Sequence, residues 1–243
     1  MNHPVNAETD HQRLLSQYTE IAALAGALAH EIRNPLSTIS LNLELMTEDL
    51  SKEENPRDQR VLRKVRIVQR ECDRLTQLLE DFMRFARAGE PELERVDLNA
   101  EVTEFIEFFR PEAQAARLEL SPHLSTDLPG VRLDRDLFRQ VLLNLARNAR
   151  EAMPAGGSLE FLSQRTGERV ELALIDNGPG MSKETQAKVC EVFFTTKPNG
   201  SGLGLPTVRK IIERHGGTMQ IDSEPGRGTR ITLSLPAAVE LKA

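Results

Sequence analysis

The chain has no tryptophan, one tyrosine and two cysteines among its 243 residues. Aromatic residues make up 4% of a sequence that is 39% hydrophobic, which favours cores of leucine, isoleucine, valine and alanine, as in helical bundles, for at least part of the molecule. Cys72 and Cys190 are too few and too far apart for a disulfide framework or a zinc site. No apolar run reaches the ~18 residues that a membrane-spanning helix needs, and the first twenty residues are polar, unlike a signal peptide. Nor is there a basic stripe: 31 Lys and Arg against 37 Asp and Glu give a formal net charge of −6, a poor match to nucleic acid. What remains is a two-part protein of a reducing compartment, expected to be soluble and cytoplasmic without membrane insertion.

Apolar periodicity organises the first third. Ile21, Ala25, Leu28, Ile32, Ile39, Leu43, Met46 and Leu50 recur at three- and four-residue spacing, predicting one long helix over about 14–50. A turn at 51–56 leads to a second helical seam through Val61, Val65, Val68, Cys72, Leu75, Leu79, Phe82 and Ala86. Residues 1–13 read as a flexible N-terminus, 14–88 as a helical hairpin and 89–96, opening on Ala88-Gly89-Glu90-Pro91, as a linker. One hairpin buries too little to stand alone, so pairing with a second copy into a four-helix bundle, a homodimer, is expected. Pro35 inside the first helix removes a hydrogen bond and should kink it.

Residues 97–236 change to a mixed pattern, followed by a short tail at 237–243. Helices are expected near 98–116, 137–153 (capped by Asp134) and 203–215, and strands near 118–121, 131–133, 158–164, 170–175, 218–221 and 229–235, with a polar, glycine-rich segment at 176–202. The class is α+β, with helices over one face of a sheet.

Candidate chemistry sits in a few short segments. At about 100° per residue, His30 points away from Leu28 and Ile32, with Asn34 on the same outward face and Glu31 beside it, so His30 is a candidate nucleophile for another domain or protein. Asn144 and Asn148 lie one helical turn apart and can place amide oxygens on a hard cation, or can be ordinary exposed amides. Asp176, ending a strand before Gly178 and Gly180, can accept from an exocyclic amine such as adenine's, or simply close a turn. Gly200, Gly202, Leu203 and Gly204 run into a helix and can cradle phosphate with backbone N–H groups, while Lys197 adds a point charge. Phe193 and Phe194 form the apolar patch of this segment.

In this order the segments resemble a two-component sensor histidine kinase over residues 17–236. His30-Glu31-Ile32-Arg33-Asn34-Pro35 is similar to the phosphoacceptor box and Asn144–Asn148 to the asparagine box. Asp176-Asn177-Gly178-Pro179-Gly180 and Gly200-Ser201-Gly202-Leu203-Gly204-Leu205 resemble the two glycine boxes. Phe193-Phe194-Thr195-Thr196-Lys197 is similar to the phenylalanine box, and Gly226-Arg227-Gly228-Thr229 to the closing turn, whose threonine lies near adenine. The short lid looks most like that of the nitrogen-regulator type, although Cys190 and Val192 stand where the family often has Phe and Pro.

The resemblance implies a dimeric phosphotransfer hairpin followed by a Bergerat-type α/β sandwich that binds ATP and Mg²⁺. Asn148 would be the metal ligand with Asn144 assisting. Asp176 and Thr229 would meet adenine, and Lys197 and the 200–204 loop the phosphates. His30 would be phosphorylated with Glu31 taking its proton, and the phosphoryl group would pass to an aspartate of a response-regulator receiver domain. Asn34 would serve the reverse, phosphatase reaction. No sensor region is recognisable before His30, and the family leaves room for an upstream sensory protein. Two other classes compete: an ATPase of the chaperone or mismatch-repair type, which would carry Glu where Asn144 stands, and a catalytically silent docking scaffold.

Overall fold

The computed structural model describes residues 32–48, 50, 56–87, 91–197 and 200–238. The chain divides into two compact units, Met1–Arg87 and Ala88–Ala243.

In the first unit α1 covers the described residues 32–48 and α2 covers Pro56–Arg87. The helix is continuous across Pro35. Each helix splits its apolar residues into two heptad series. On α1, Leu36 is buried and Leu43 partly so, whereas Ile32, Ile39 and Met46 are 40%, 45% and 47% exposed. On α2, Val65 and Cys72 are buried, whereas Val61, Val68 and Leu75 are 37%, 47% and 45% exposed. A smaller cluster forms where Met83 is buried against Leu79 and Phe82. The expected seam on α2 therefore resolves into a filled series and an open one.

The second unit is a sheet with helices on one face. Its order is β1 (Glu94–Val96), α3 (Leu98–Ala115), β2 (Leu118–Leu124), β3 (Val131–Leu133), α4 (Arg135–Ala152), β4 (Gly157–Thr166), β5 (Arg169–Asp176), α5 (Lys183–Lys188), α6 (Gly204–Arg214), β6 (Thr218–Ser223) and β7 (Thr229–Pro236). The main sheet runs β2-β4-β5-β7-β6, with β2 parallel to β4 and every other pair antiparallel. Period-two alternation turns Leu159 and Phe161 of β4 and Ile231, Leu233 and Leu235 of β7 inward. They meet Phe105 and Phe109 of α3, Phe138, Val141, Leu142 and Leu145 of α4, and Val208, Ile211 and Ile212 of α6 in one continuous core. Each large side chain buried there contributes about 1.5–3 kcal/mol.

Local chemistry sets the helix starts. Asp97 accepts from the N–H groups of Asn99 and Ala100 at 2.9 and 3.4 Å. Asp134 accepts from Leu137 N–H at 3.0 Å, as expected of a cap, and also from Glu92 N–H at 3.0 Å. Buried His215 closes α6: its Nδ1–H donates to Ile211 O at 2.7 Å, and its Nε2 accepts from Asp134 N–H at 3.0 Å. This neutral imidazole ties the end of α6 to the start of α4.

Three departures from the expected elements have physical causes. Residues 94–96, expected to be linker, form β1 because Val96 is buried opposite Val131 of β3. β2 runs on through Pro122 and His123 to Leu124, which an edge strand tolerates. α5 interrupts the polar segment. It is capped by Ser182, whose Oγ accepts from Thr185 N–H at 3.2 Å, and buries no residue, so it carries no apolar period.

Candidate nucleotide site

The site grows from the exposed edge of α4. Its apolar face packs into the core through Val141, Leu145 and Ala149, which leaves Asn144 and Asn148 half-buried along one flank of that face. The glycine loop comes to that side. A Cβ placed on Gly204 would lie 3.6 Å from Asn148 Nδ2 and 3.7 Å from Asn144 Oδ1. Gly204 opens α6, whose N-cap residue, buried Leu203, makes no side-chain cap hydrogen bond. The positive end of α6 and its first-turn N–H groups thus lie beside two amides, a setting for anionic oxygens.

The loop that delivers Gly204 is tightly folded. Phe193 has a φ of +68° and its N–H donates to Gly202 O at 3.1 Å. Gly202 also has a φ of +68°, and a Cβ there would run into the backbone of Phe193, so only glycine fits. Thr195 Oγ1 accepts from Lys197 N–H at 3.1 Å, and Gly200 N–H donates to Lys197 O at 3.2 Å. These bonds aim Lys197 inward. Its Nζ donates to Asn148 Oδ1 at 3.0 Å and to Glu151 Oε2 at 2.6 Å.

A second cluster lies at the end of β5. Asp176 Oδ1 accepts from Gly178 N–H at 2.9 Å. Gly178 approaches the end of α4, where a Cβ would stand 3.3 Å from Met153 Cγ. Burial pushes the Asp176 carboxyl above the ordinary aspartate range, opposed by hydrogen bonds from the backbone of Gly178 and Thr229 and by the charge of Lys197. The closing turn is locked against it: Asp176 pairs with Thr229, and Gly228, at a φ of +78°, would clash with Asp176 O if it bore a Cβ. Gly180 packs beside the same turn, with Pro179 O accepting from Gly226 N–H at 2.7 Å.

Asn144, Asn148, Lys197, Gly204 and the 200–203 segment are therefore brought together, with Asp176, Gly178, Gly180 and Thr229 forming the adjoining wall. Asn34 lies in the other unit, exposed on α1. His30 and Glu31 lie outside the described residues. Two contributors went unread in the sequence. Glu151 is three residues beyond Asn148 on α4, and it joins the site only through its contact with Lys197. Ser223 faces Thr229 across β6–β7. It donates to Gly228 O at 2.9 Å, accepts from Met181 N–H at 2.9 Å and lies 3.1 Å from Thr229 Oγ1. With its single proton committed to Gly228, Ser223 receives the Thr229 proton.

Among the described residues no three His, Cys, Asp or Glu side chains converge on a metal position. Asn148 Oδ1 accepts from the Lys197 ammonium, so this amide oxygen is turned toward positive charge and its donor type fits a hard cation. No described helix is long and apolar enough to cross a membrane.

Comparison with known proteins fits both units. Residues 133–239 match the family described as histidine kinase-, DNA gyrase B-, and HSP90-like ATPase, and residues 20–91 match the His Kinase A (phospho-acceptor) domain. The fold and the site thus define a nucleotide-site domain of that ATPase class joined to a phosphoacceptor-type helical unit. The chain is 31% identical to the sensor histidine kinase ZraS of Escherichia coli O157:H7, over 96% of this chain and 50% of that protein. Among solved structures, full-length ShkA in complex with AMPPNP superposes with a TM-score of 0.69 at 28% identity, covering 89% of this chain and 46% of ShkA. The histidine kinase ThkA in complex with the response regulator TrrA gives 0.66 at 25% identity, over 98% of this chain and 67% of that one. The chain belongs to the two-component sensor histidine kinases, of which it carries the catalytic core. It spans about half the length of curated relatives such as ZraS.

Proposed function

We propose that the chain is an ATP-dependent protein histidine kinase that phosphorylates itself on His30 and passes the phosphoryl group to an aspartate of a response regulator. The observation that carries this reading is the meeting of Asn148, Asn144, Gly204 and Lys197 at one edge of α4. Asn144 also stands where a hydrolytic relative of the ATPase class would carry the glutamate that activates water, which favours transfer over hydrolysis.

In this reading residues 14–88 form the dimerisation and phosphotransfer hairpin, 89–93 the linker, shorter than expected because β1 begins at Glu94, and 94–236 the ATP-binding domain. Asp176 accepts the adenine amine, with Thr229 beside it. Lys197 and the N–H groups of the 200–204 loop take the phosphates. Mg²⁺ would be held by Asn148, assisted by Asn144, and when bound would draw charge from the transferring group. His30 attacks the γ-phosphorus with a ring-nitrogen lone pair. The N–P bond forms as the bond to the bridging oxygen breaks, ADP leaves, and Glu31 accepts the proton from the other ring nitrogen. The phosphoacceptor and the nucleotide belong to different units, so the linker governs how often they meet. Asn34, exposed on α1 and four residues after His30 in the sequence, would orient water for dephosphorylating the regulator.

The open heptad series Ile32, Ile39, Met46 and Val61, Val68, Leu75 supports a homodimer, because a second copy would cover apolar surface that one hairpin leaves exposed. The match to the phosphoacceptor domain and the likeness to a kinase crystallised with its response regulator support the receiver domain as partner.

His30→Gln is expected to abolish labelling from γ-labelled ATP while binding a non-hydrolysable ATP analogue as tightly as the parent. Acid-labile label persisting in that variant would overturn the assignment.

A further inference from the structure

The Lys197 ammonium is not free to wait for a phosphate. It sits 2.6 Å from Glu151 Oε2 and 3.0 Å from Asn148 Oδ1, two oxygens that α4 presents one turn apart. Glu151 is itself held from behind. Its other oxygen, Oε1, lies 3.8 Å from Arg150, and Arg150 is bonded to Glu112 of α3. The carboxylate is thus a positioned counter-ion aimed at the lid.

We propose that Glu151 is a positioning residue of the nucleotide site: it parks the Lys197 ammonium against α4 until a triphosphate takes it away. This rests on the reading of Lys197 as a phosphate ligand. Nucleotide capture is then an exchange of one anionic partner for another at the same ammonium, and the cation on Asn148 Oδ1 leaves at the same time, freeing that oxygen for a metal ion. The arrangement has two consequences. The Lys197 side chain already has a fixed place before ligand arrives, so less side-chain entropy is lost on binding. It also sets a threshold, because a ligand with too little charge to outbid a carboxylate leaves Lys197 where it is. The side chains are 35% and 45% exposed, so the pair is screened by solvent and the effect is modest.

The test is a double-mutant cycle on the full-length chain, using calorimetric affinity for a non-hydrolysable ATP analogue in Mg²⁺, with Glu151→Gln, Lys197→Met and the double variant. Glu151→Gln should tighten binding about threefold when Lys197 is present and change it by less than about 1.5-fold when Lys197 is absent. Equal tightening in both backgrounds would mean that the carboxylate merely repels phosphate and would overturn the proposal. So would weaker or unchanged binding by Glu151→Gln. Failure of the parent to bind the analogue at all would instead sink the nucleotide reading. Thermal melts confirm that the variants fold. Hydrogen exchange supplies a second readout that does not need Lys197→Met: amides 195–203 should exchange at least about threefold faster in nucleotide-free Glu151→Gln than in the parent, and at equal rates once the analogue is bound. Unchanged exchange in the free variant would refute the parked ammonium.

Discussion

The two units solve the burial problem differently. In the second unit the helices α3, α4 and α6 cover the inner face of the sheet, and Phe109, Phe138, Phe161, Leu172 and Ile211 are fully enclosed by their own chain. In the helical unit each helix buries one heptad series and exposes the other, so Val65 and Cys72 are covered while Val68 and Leu75 are not. A domain that holds a small molecule can be self-sufficient. A hairpin that leaves half its seam open has apolar surface for a second copy to cover, and in the proposed homodimer its stability should rise with protein concentration.

That contrast can be broken most forcefully at Phe161. Phe161→Ala should lower the unfolding free energy of the nucleotide unit by about 3–5 kcal/mol, and thermal scans should show the same loss at every protein concentration. A concentration-dependent loss would mean that this unit also leans on a partner. Next comes Val68→Asp, which puts a carboxylate into the open series. It should raise the dimer dissociation constant about 100-fold in sedimentation experiments while leaving the unfolding of the second unit unchanged. A variant that stays dimeric would place the partner surface elsewhere.

The smallest effects belong to the site. Asp176→Asn should weaken binding of an ATP analogue about tenfold, by losing a charged hydrogen-bond acceptor. Its stability signature has a definite sign. Burial raises the Asp176 carboxyl in the folded state, so the folded chain holds that proton more tightly than the unfolded one. The stabilisation is fully present below the unfolded value of about 3.9 and is lost as pH rises through the folded one. The parent should therefore gain stability relative to Asp176→Asn as pH falls from 7 towards 4. A parent that loses stability relative to Asp176→Asn on acidification would contradict the assigned cause.

Sequence reasoning reached elements whose cause is local. Period two showed β4 and β5, and Asp134 announced α4 because a cap is a short-range device. α5 escaped because six residues with no buried face carry no period, and β1 because its pairing with β3 spans a long separation in sequence. The candidate site divides in the same way. Asn144, Asn148, Asp176 and the glycines stand in short motifs with a chemistry of their own. Glu151 acquires a role only when the lid folds back on α4, and Ser223 only when β6 and β7 come into register. Such contacts are tertiary, and residue spacing alone does not specify them. The filled and open series on the hairpin were likewise merged in one apolar seam, since periodicity marks a stripe as apolar without saying which neighbour covers it.

The measurement that bears most directly on the whole account is the chemistry of label transferred from γ-labelled ATP in the presence of Mg²⁺. Label on the chain is expected to be lost in acid, to survive alkali and to map to His30, a phosphorus–nitrogen bond. Free phosphate released with none retained, or an unlabelled chain that still binds the nucleotide, would contradict the kinase reading.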